Sequence, residues 1–182
     1  MELGGHIIAL FDPVWHHALD EQPESLDARW VLCHRPLVSV GGELVSEMLE
    51  LRADNASGVY AAPLQMKANN GILVIDDFGR QIMSPRELLN RWIVPLDRRV
   101  DYLTLHQGQK MRVPFELVVV FATNLDPGEL ADEAFLRRIH NKIYIGPISE
   151  ETFLDILSRV LAERGLNIDE ASLWRQPAVL GV

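Results

Sequence analysis

Five side chains carry the chemistry that this sequence can offer. Asp76 and Asp77 follow the apolar run Ile72-Leu73-Val74-Ile75, and Asn124 follows Leu117 to Phe121 by way of Ala122-Thr123. Arg137 and Arg138 lie a little further on. An acid at the end of a buried parallel strand stands where the chain leaves the core. Asp76 there could hold Mg²⁺, directly or through water, since that cation prefers carboxylate oxygens and bound water. Asp77 could orient an attacking water, and Asn124 could hydrogen-bond a phosphate or that same water. Each also has a plain structural reading. Two acids can simply be solvated at a turn, an Asn can satisfy its own backbone, and an arginine pair near a helix end is favoured by the helix dipole.

The elements that must position these residues follow from the apolar pattern. His6 to Phe11 is a short apolar run after Gly4-Gly5 that stops at Asp12-Pro13, which predicts a buried strand. Val14 to Leu19 predicts a helical turn and Arg29 to His34 a second short strand. The spacing of Leu44, Val45, Met48, Leu49 and Leu51 predicts a helix over Gly42 to Leu51, after the breaker Val40-Gly41-Gly42. Asn69-Asn70-Gly71 opens the strand that ends at Asp76. Ser84-Pro85-Arg86-Glu87 is a helix start, with Ser at the cap and Pro in the first turn. Val100 to Leu105 and Lys110 to Val113, around Gln107-Gly108-Gln109, predict a hairpin. Pro127 to Ile139 predicts a short helix and Lys142 to Ile145 a further strand. Ile148 to Leu161 predicts an amphipathic helix stopped by Gly165. Continuous apolar strands alternating with helices indicate an α/β fold with a parallel sheet covered on both faces. Sites in such sheets form at the carboxyl ends of strands.

Order and spacing then bind the five residues together. Gly71-Ile-Leu-Val-Ile-Asp-Asp-Phe-Gly-Arg-Gln81, Phe121-Ala-Thr-Asn-Leu125 and Asp132-Glu-Ala-Phe-Leu-Arg-Arg-Ile139 occur in that sequence. Together they resemble the second half of an AAA+ ATPase module, from the Walker B strand to the arginine-finger region. They look closest to the MoxR-like branch and its relatives. The resemblance covers about Asn69 to Leu161 and is weaker from Gly5 to Met66. It implies a partial parallel sheet of the P-loop type flanked by helices, over residues 1–147, and the start of a helical lid over 148–182. It implies Asp76 as the metal-linked acid, Asn124 as the sensor-1 residue, and Arg138, with Arg137, as the finger that reaches a neighbouring subunit's phosphate. ATP and Mg²⁺ are then the expected cofactors, in a homo-oligomeric ring that remodels a protein client.

Two departures stand out. Asp77 occupies the place of the family's usual Glu and is one methylene shorter. The Walker A loop, which needs a Gly-Lys dipeptide, is missing: the only lysines are Lys67, Lys110 and Lys142, preceded by Met66, Gln109 and Asn141. The chain therefore looks like a piece of a longer ATPase that begins after the P-loop, with His6 to Phe11 as the second core strand. A non-catalytic scaffold that keeps the fold without binding nucleotide is the alternative, and a small hydrolase using a metal on Asp76 and Asp77 is a third reading. In the family the strand before the P-loop lies between the sensor-1 strand and the last strand, here Leu117 to Phe121 and Lys142 to Ile145. That slot is expected to close up, to be filled by another segment or chain, or to be wet, because unpaired buried amides cost about 1–3 kcal/mol each.

Composition narrows the rest. The chain has 182 residues, 48% of them hydrophobic, enough for a core without covalent staples. Its 17 basic and 26 acidic residues give a net charge of −9, so general binding to a nucleic-acid backbone is not expected. Cys33 is the single cysteine, which excludes an intrachain disulfide and suits a reducing compartment. No apolar run reaches membrane-spanning length and no signal peptide is evident, so a soluble cytoplasmic protein is expected. His6, His16, His17, Cys33 and His34 lack metal-ligand spacing, since adjacent side chains on a regular element point apart. Trp15, Trp30, Trp92 and Trp174 are scattered packing residues. Ser46 and Ser84 sit in no nucleophile elbow.

Overall fold

A computed structural model describes residues 2–3, 5–54, 56–105, 108–130 and 133–166. Gln107 of the expected hairpin turn, Asp132 of the third phrase and the tail with Trp174 lie outside them. The chain divides into two compact units, Met1–His140 and Asn141–Val182.

The first unit holds the parallel sheet. Its strands are β3 (Leu37–Val40), β6 (Ile72–Ile75) and β9 (Val118–Phe121), in the order β3-β6-β9. The register pairs Leu37 with Ile72 and Ile72 with Val118, and so on to Val40, Ile75 and Phe121. A second sheet has the order β1-β2-β5-β4, from β1 (Glu2–Leu3), β2 (His6–Ala9), β4 (Arg52–Ala53) and β5 (Val59–Ala61), and only β2 and β5 run parallel in it. β7 (Val100–Thr104) and β8 (Lys110–Pro114) form the expected antiparallel hairpin.

Strand pleating sends alternate residues to opposite faces. Val38, Val40, Leu73 and Ile75 are buried beneath the sheet with Leu88, Leu89 and Trp92 of α2 (Pro85–Arg98), and with Phe115 and Leu117. Among the described residues the opposite face is largely exposed. Leu37, Ile72 and Val118, one row across all three strands, are 59%, 40% and 59% exposed, and Val120 lies in the next row. β9 pairs with β6 alone among the described residues. Its Val118 amide and the following Ala122 amide point to β6, so the alternate groups, on Val119 and Phe121, face an open edge.

α2 begins as its sequence requires. The Ser84 hydroxyl accepts from the Glu87 amide at 3.2 Å, Pro85 opens the first turn, and Arg99 ends the helix in the left-handed region at φ 55°. A second core gathers Ile8, Tyr60, Leu103, Met111 and Val113. One polar cluster spans both. Arg91 donates from Nη1 and Nη2 to the buried Asp101 at 2.6 and 3.1 Å and from Nε to Glu50 at 2.9 Å. Gln65 adds a bond to Asp101 at 3.0 Å and one to the Leu49 carbonyl at 2.8 Å. Burial alone would loosen the Arg91 proton, but the bonds and charges of Asp101 and Glu50 together outweigh it and hold Arg91 above its ordinary pKa.

Several expected elements differ. His6–Ala9 is a strand, but its parallel partner is Val59–Ala61 in the second sheet, and the core strand beside Ile72–Ile75 is Leu37–Val40. Arg29 to His34 forms one isolated bridge, Ala18 to Cys33. The helix over Gly42 to Leu51 contracts to a 3-10 turn, η1 (Ser46–Leu49), because the chain turns into β4 directly afterwards. Val14 to Leu19 gives a turn and then that bridge. The helix over Pro127 to Ile139 is seen as α3 (Pro127–Leu130) and α4 (Glu133–Leu136). Lys142 to Ile145 is not a strand: Ile143, Tyr144 and Ile145 are exposed and no described strand pairs with them. In the second unit, α5 (Glu150–Glu163) is capped by Ser149, and Gly165 follows it at φ 64°. α1 (Leu64–Lys67) is the remaining short helix of the first unit.

Candidate functional site

Asp76 and Asn124 lie on the turns that follow β6 and β9, at the same end of the two strands. Leu73 and Ile75 fix β6 in the core, and the Asp76 amide extends its ladder by donating to the Val40 carbonyl at 2.8 Å. The chain then reverses. Asp77 adopts φ 49°, a left-handed conformation that Asp tolerates, and its amide donates to Asp76 Oδ1 at 2.9 Å. Gln81 clamps the turn. Its Nε2 donates to the Asp76 and Asp77 carbonyls at 2.8 and 3.1 Å, and its Oε1 accepts from the Gly79 amide at 2.8 Å. Both acids are left exposed on the rim.

Phe78 ties this turn to the next strand. Its amide donates to the Ala122 carbonyl at 2.7 Å, and its ring lies 4.9 Å from that of Phe121. The Thr123 hydroxyl donates to the Phe78 carbonyl at 2.7 Å and accepts from the Leu125 amide at 3.1 Å. Asn124 is held between these two anchored residues with its side chain exposed. Gly79 makes the fit possible: it sits at φ 107°, and a Cβ there would lie 2.6 Å from Leu130 Cδ2. With Ile75 opposite Phe121 in the register, Asp76 and Asn124 occupy the carboxyl ends of neighbouring parallel strands. An acid and an amide at one sheet edge can hold a hydrated cation beside a phosphate-sized group.

The arginines are placed by the same aromatic core. Phe135 is buried with its ring 6.0 Å from Phe121, which fixes the end of α4. Arg137 Nη2 donates to Glu133 at 2.6 Å, an exposed pair one turn apart. Arg138 Nε donates to Asp97 on the last turn of α2 at 2.9 Å. Gln81, Thr123 and Asp97 carry no chemical signal of their own in the sequence. Gln81 and Thr123 lay inside matched phrases, whereas nothing local marks Asp97.

His16 and Cys33 make local contacts. The Asp12 amide donates to His16 Nδ1 at 2.9 Å, and His16 Nε2 lies 2.9 Å from the Lys67 carbonyl. The Cys33 thiol is half-buried against the Val31 carbonyl. Among the described residues no three His, Cys, Asp or Glu side chains converge as a metal cage. No described helix is long and apolar enough to cross a membrane.

No protein-family profile matches the sequence, and no curated protein matches it. Solved structures do. A chain in the complex between subunits BchI and BchD of magnesium chelatase aligns with TM-score 0.54 at 20% identity, over 83% of this chain and 48% of that one. NtrX from Brucella abortus aligns with TM-score 0.45 at 19% identity, over 57% of this chain and 24% of that one. This chain thus spans about half, or less, of the structures it matches. The parallel sheet with helices packed against it is an α/β fold shared with that magnesium-chelatase chain.

Proposed function

We propose that this chain is the metal-and-sensor half of an AAA+ ATPase of the MoxR-like branch or a relative. The parent assembly, an oligomeric ring in the cytoplasm, would couple ATP hydrolysis to remodelling of a protein client. The observation that carries the reading is the placement of Asp76 and Asn124 at adjoining carboxyl ends of parallel β6 and β9. The exposed row Leu37, Ile72, Val118 and the open edge of β9 support it, because a parallel sheet is normally covered on both faces.

The donor set at this edge suits Mg²⁺, which takes one or two carboxylates and completes its shell with water and phosphate oxygens. Asp76 is the residue that would hold it, through water. Bound there, the cation supplies neutralising charge to phosphate oxygens. Asp77 orients water, with a shorter reach than Glu would give. Asn124 hydrogen-bonds the phosphate or that water, and Arg137 and Arg138 stabilise phosphoryl charge across a subunit boundary. The residues do not fit the nucleotide's phosphate chain, since no Gly-Lys dipeptide supplies a backbone cradle with its lysine. That same fact favours the second reading, a scaffold that keeps the fold without nucleotide. A reading frame upstream of Met1 that encodes Gly-x-x-x-x-Gly-Lys-Ser/Thr would decide for the ATPase.

Calorimetry supplies the functional test. MgATP titrated into this chain alone should give no binding in the micromolar range. In an assembly that supplies a phosphate loop, Asp76→Ala should abolish turnover. Micromolar affinity of the lone chain, or turnover that survives Asp76→Ala, contradicts the proposal.

A further inference from the structure

Arg138 is engaged at a distance in sequence. Its partner Asp97 lies 41 residues earlier, and the two side chains are 27% and 44% exposed. Beside the pair opens a groove of about 450 Å³ lined by Leu96, Asp97, Arg137, Arg138 and His140. Two guanidinium groups, an imidazole and one carboxylate thus line the groove, on a chain whose net charge is −9. The two arginine pairs differ in kind. Glu133 and Arg137 are 82% and 74% exposed on one helical turn. Such a pair contributes a few tenths of a kcal/mol and holds nothing in place. Asp97, by contrast, fastens Arg138 to a different helix and forms part of the groove wall.

A carboxylate and a phosphoryl group ask for the same planar N–H edge of a guanidinium. Resting on the reading of Arg138 as the phosphate-reaching residue, we propose that this groove takes a phosphoryl group and that Asp97 is its built-in competitor. Asp97 is a positioning residue. It parks Arg138 against the end of α2, and an incoming phosphate displaces it. The half-exposed pair is weakly held, so exchange is cheap. The dianion carries more charge and more acceptor oxygens than the carboxylate it replaces. In the lone chain the arginine is therefore docked, and it is released only where a phosphate is presented to it.

The test titrates inorganic tripolyphosphate into the full chain at low ionic strength, followed by calorimetry and by the Arg138 Nε–Hε NMR resonance. Asp97→Asn should tighten binding about fivefold, the factor for removing one solvent-exposed unit charge a few ångströms from the anion. It should also shift the Arg138 resonance before any anion is added. Asp97→Glu should restore wild-type behaviour. Glu133→Gln removes the same charge from the chain and frees Arg137 from an exposed pair that holds nothing in place, so it should change affinity by less than about twofold. Arg138→Ala should lose most of the binding. If Asp97→Asn matches wild type, or if Glu133→Gln tightens binding as much, the competitor role is overturned while the groove stands. If Arg138→Ala binds as wild type does, or no variant binds, the phosphate-facing reading of Arg138 falls as well.

Discussion

Asp12 and Lys67 act as a tether between the segment after β2 and the end of α1. Lys67 Nζ donates to Asp12 Oδ2 at 2.8 Å, with both side chains largely covered. That bond holds the Asp12 carboxyl below its ordinary pKa of 3.8. A depressed carboxyl contributes stability that is present above the unfolded value and lost as pH falls through the lower folded one. The acid loss from this contact therefore belongs below about pH 4. Lys67→Met should raise the Asp12 pKa toward its ordinary value and remove that part of the acid dependence, as followed by carboxyl NMR; a titration that does not move rejects the tether. Asp76 and Asn124 were legible as single residues because each ends an apolar run inside a recognisable phrase. Gln81, Thr123 and Asp97 were not. Gln81 bonds within its own turn, which no pattern announces, whereas Thr123 and Asp97 find their partners across the fold, in the case of Asp97 41 residues away.

Elements that carry their own start and stop signals were readable. The cap at Ser84, the hairpin around Gly108 and the buried strand Ile72–Ile75 all form where the sequence places them. Elements defined by a partner were not. Apolar content marks His6–Ala9 as a strand without saying which sheet it joins. Leu37–Val40 was hidden by the glycines that follow it. Lys142 to Ile145 has strand composition, but a segment becomes a strand only when another pairs with it. The exposed sheet face leads to an expectation of its own. Val118 and Val120 project to solvent from an edge strand, an arrangement that invites association. Val118→Lys with Val120→Lys should raise the monomer fraction in light scattering and cost about 1 kcal/mol or less in thermal unfolding. Loss of the fold, or unchanged association, would show that this face is covered.

At the scale of the molecule, the first unit holds two apolar cores bridged by Arg91, Asp101, Glu50 and Gln65, and one sheet edge that gathers an acid and an amide. That edge was foreseeable because parallel strands of similar length, each ending in a polar residue, deliver those residues to one side. The order of the strands was not, since His6–Ala9 and Leu37–Val40 compete for the same place on composition alone. The claim that Asp76 and Asn124 share one cation-facing edge is tested by paramagnetic broadening with Mn²⁺, a stand-in for Mg²⁺ that also favours oxygen ligands. Low occupancy suffices for it. In the wild-type chain the amides of Asp76, Asp77 and Asn124 should broaden together at the lowest Mn²⁺ additions. In Asp76→Asn the broadening of Asn124 should disappear. Broadening of Asn124 that persists unchanged in Asp76→Asn would contradict the account.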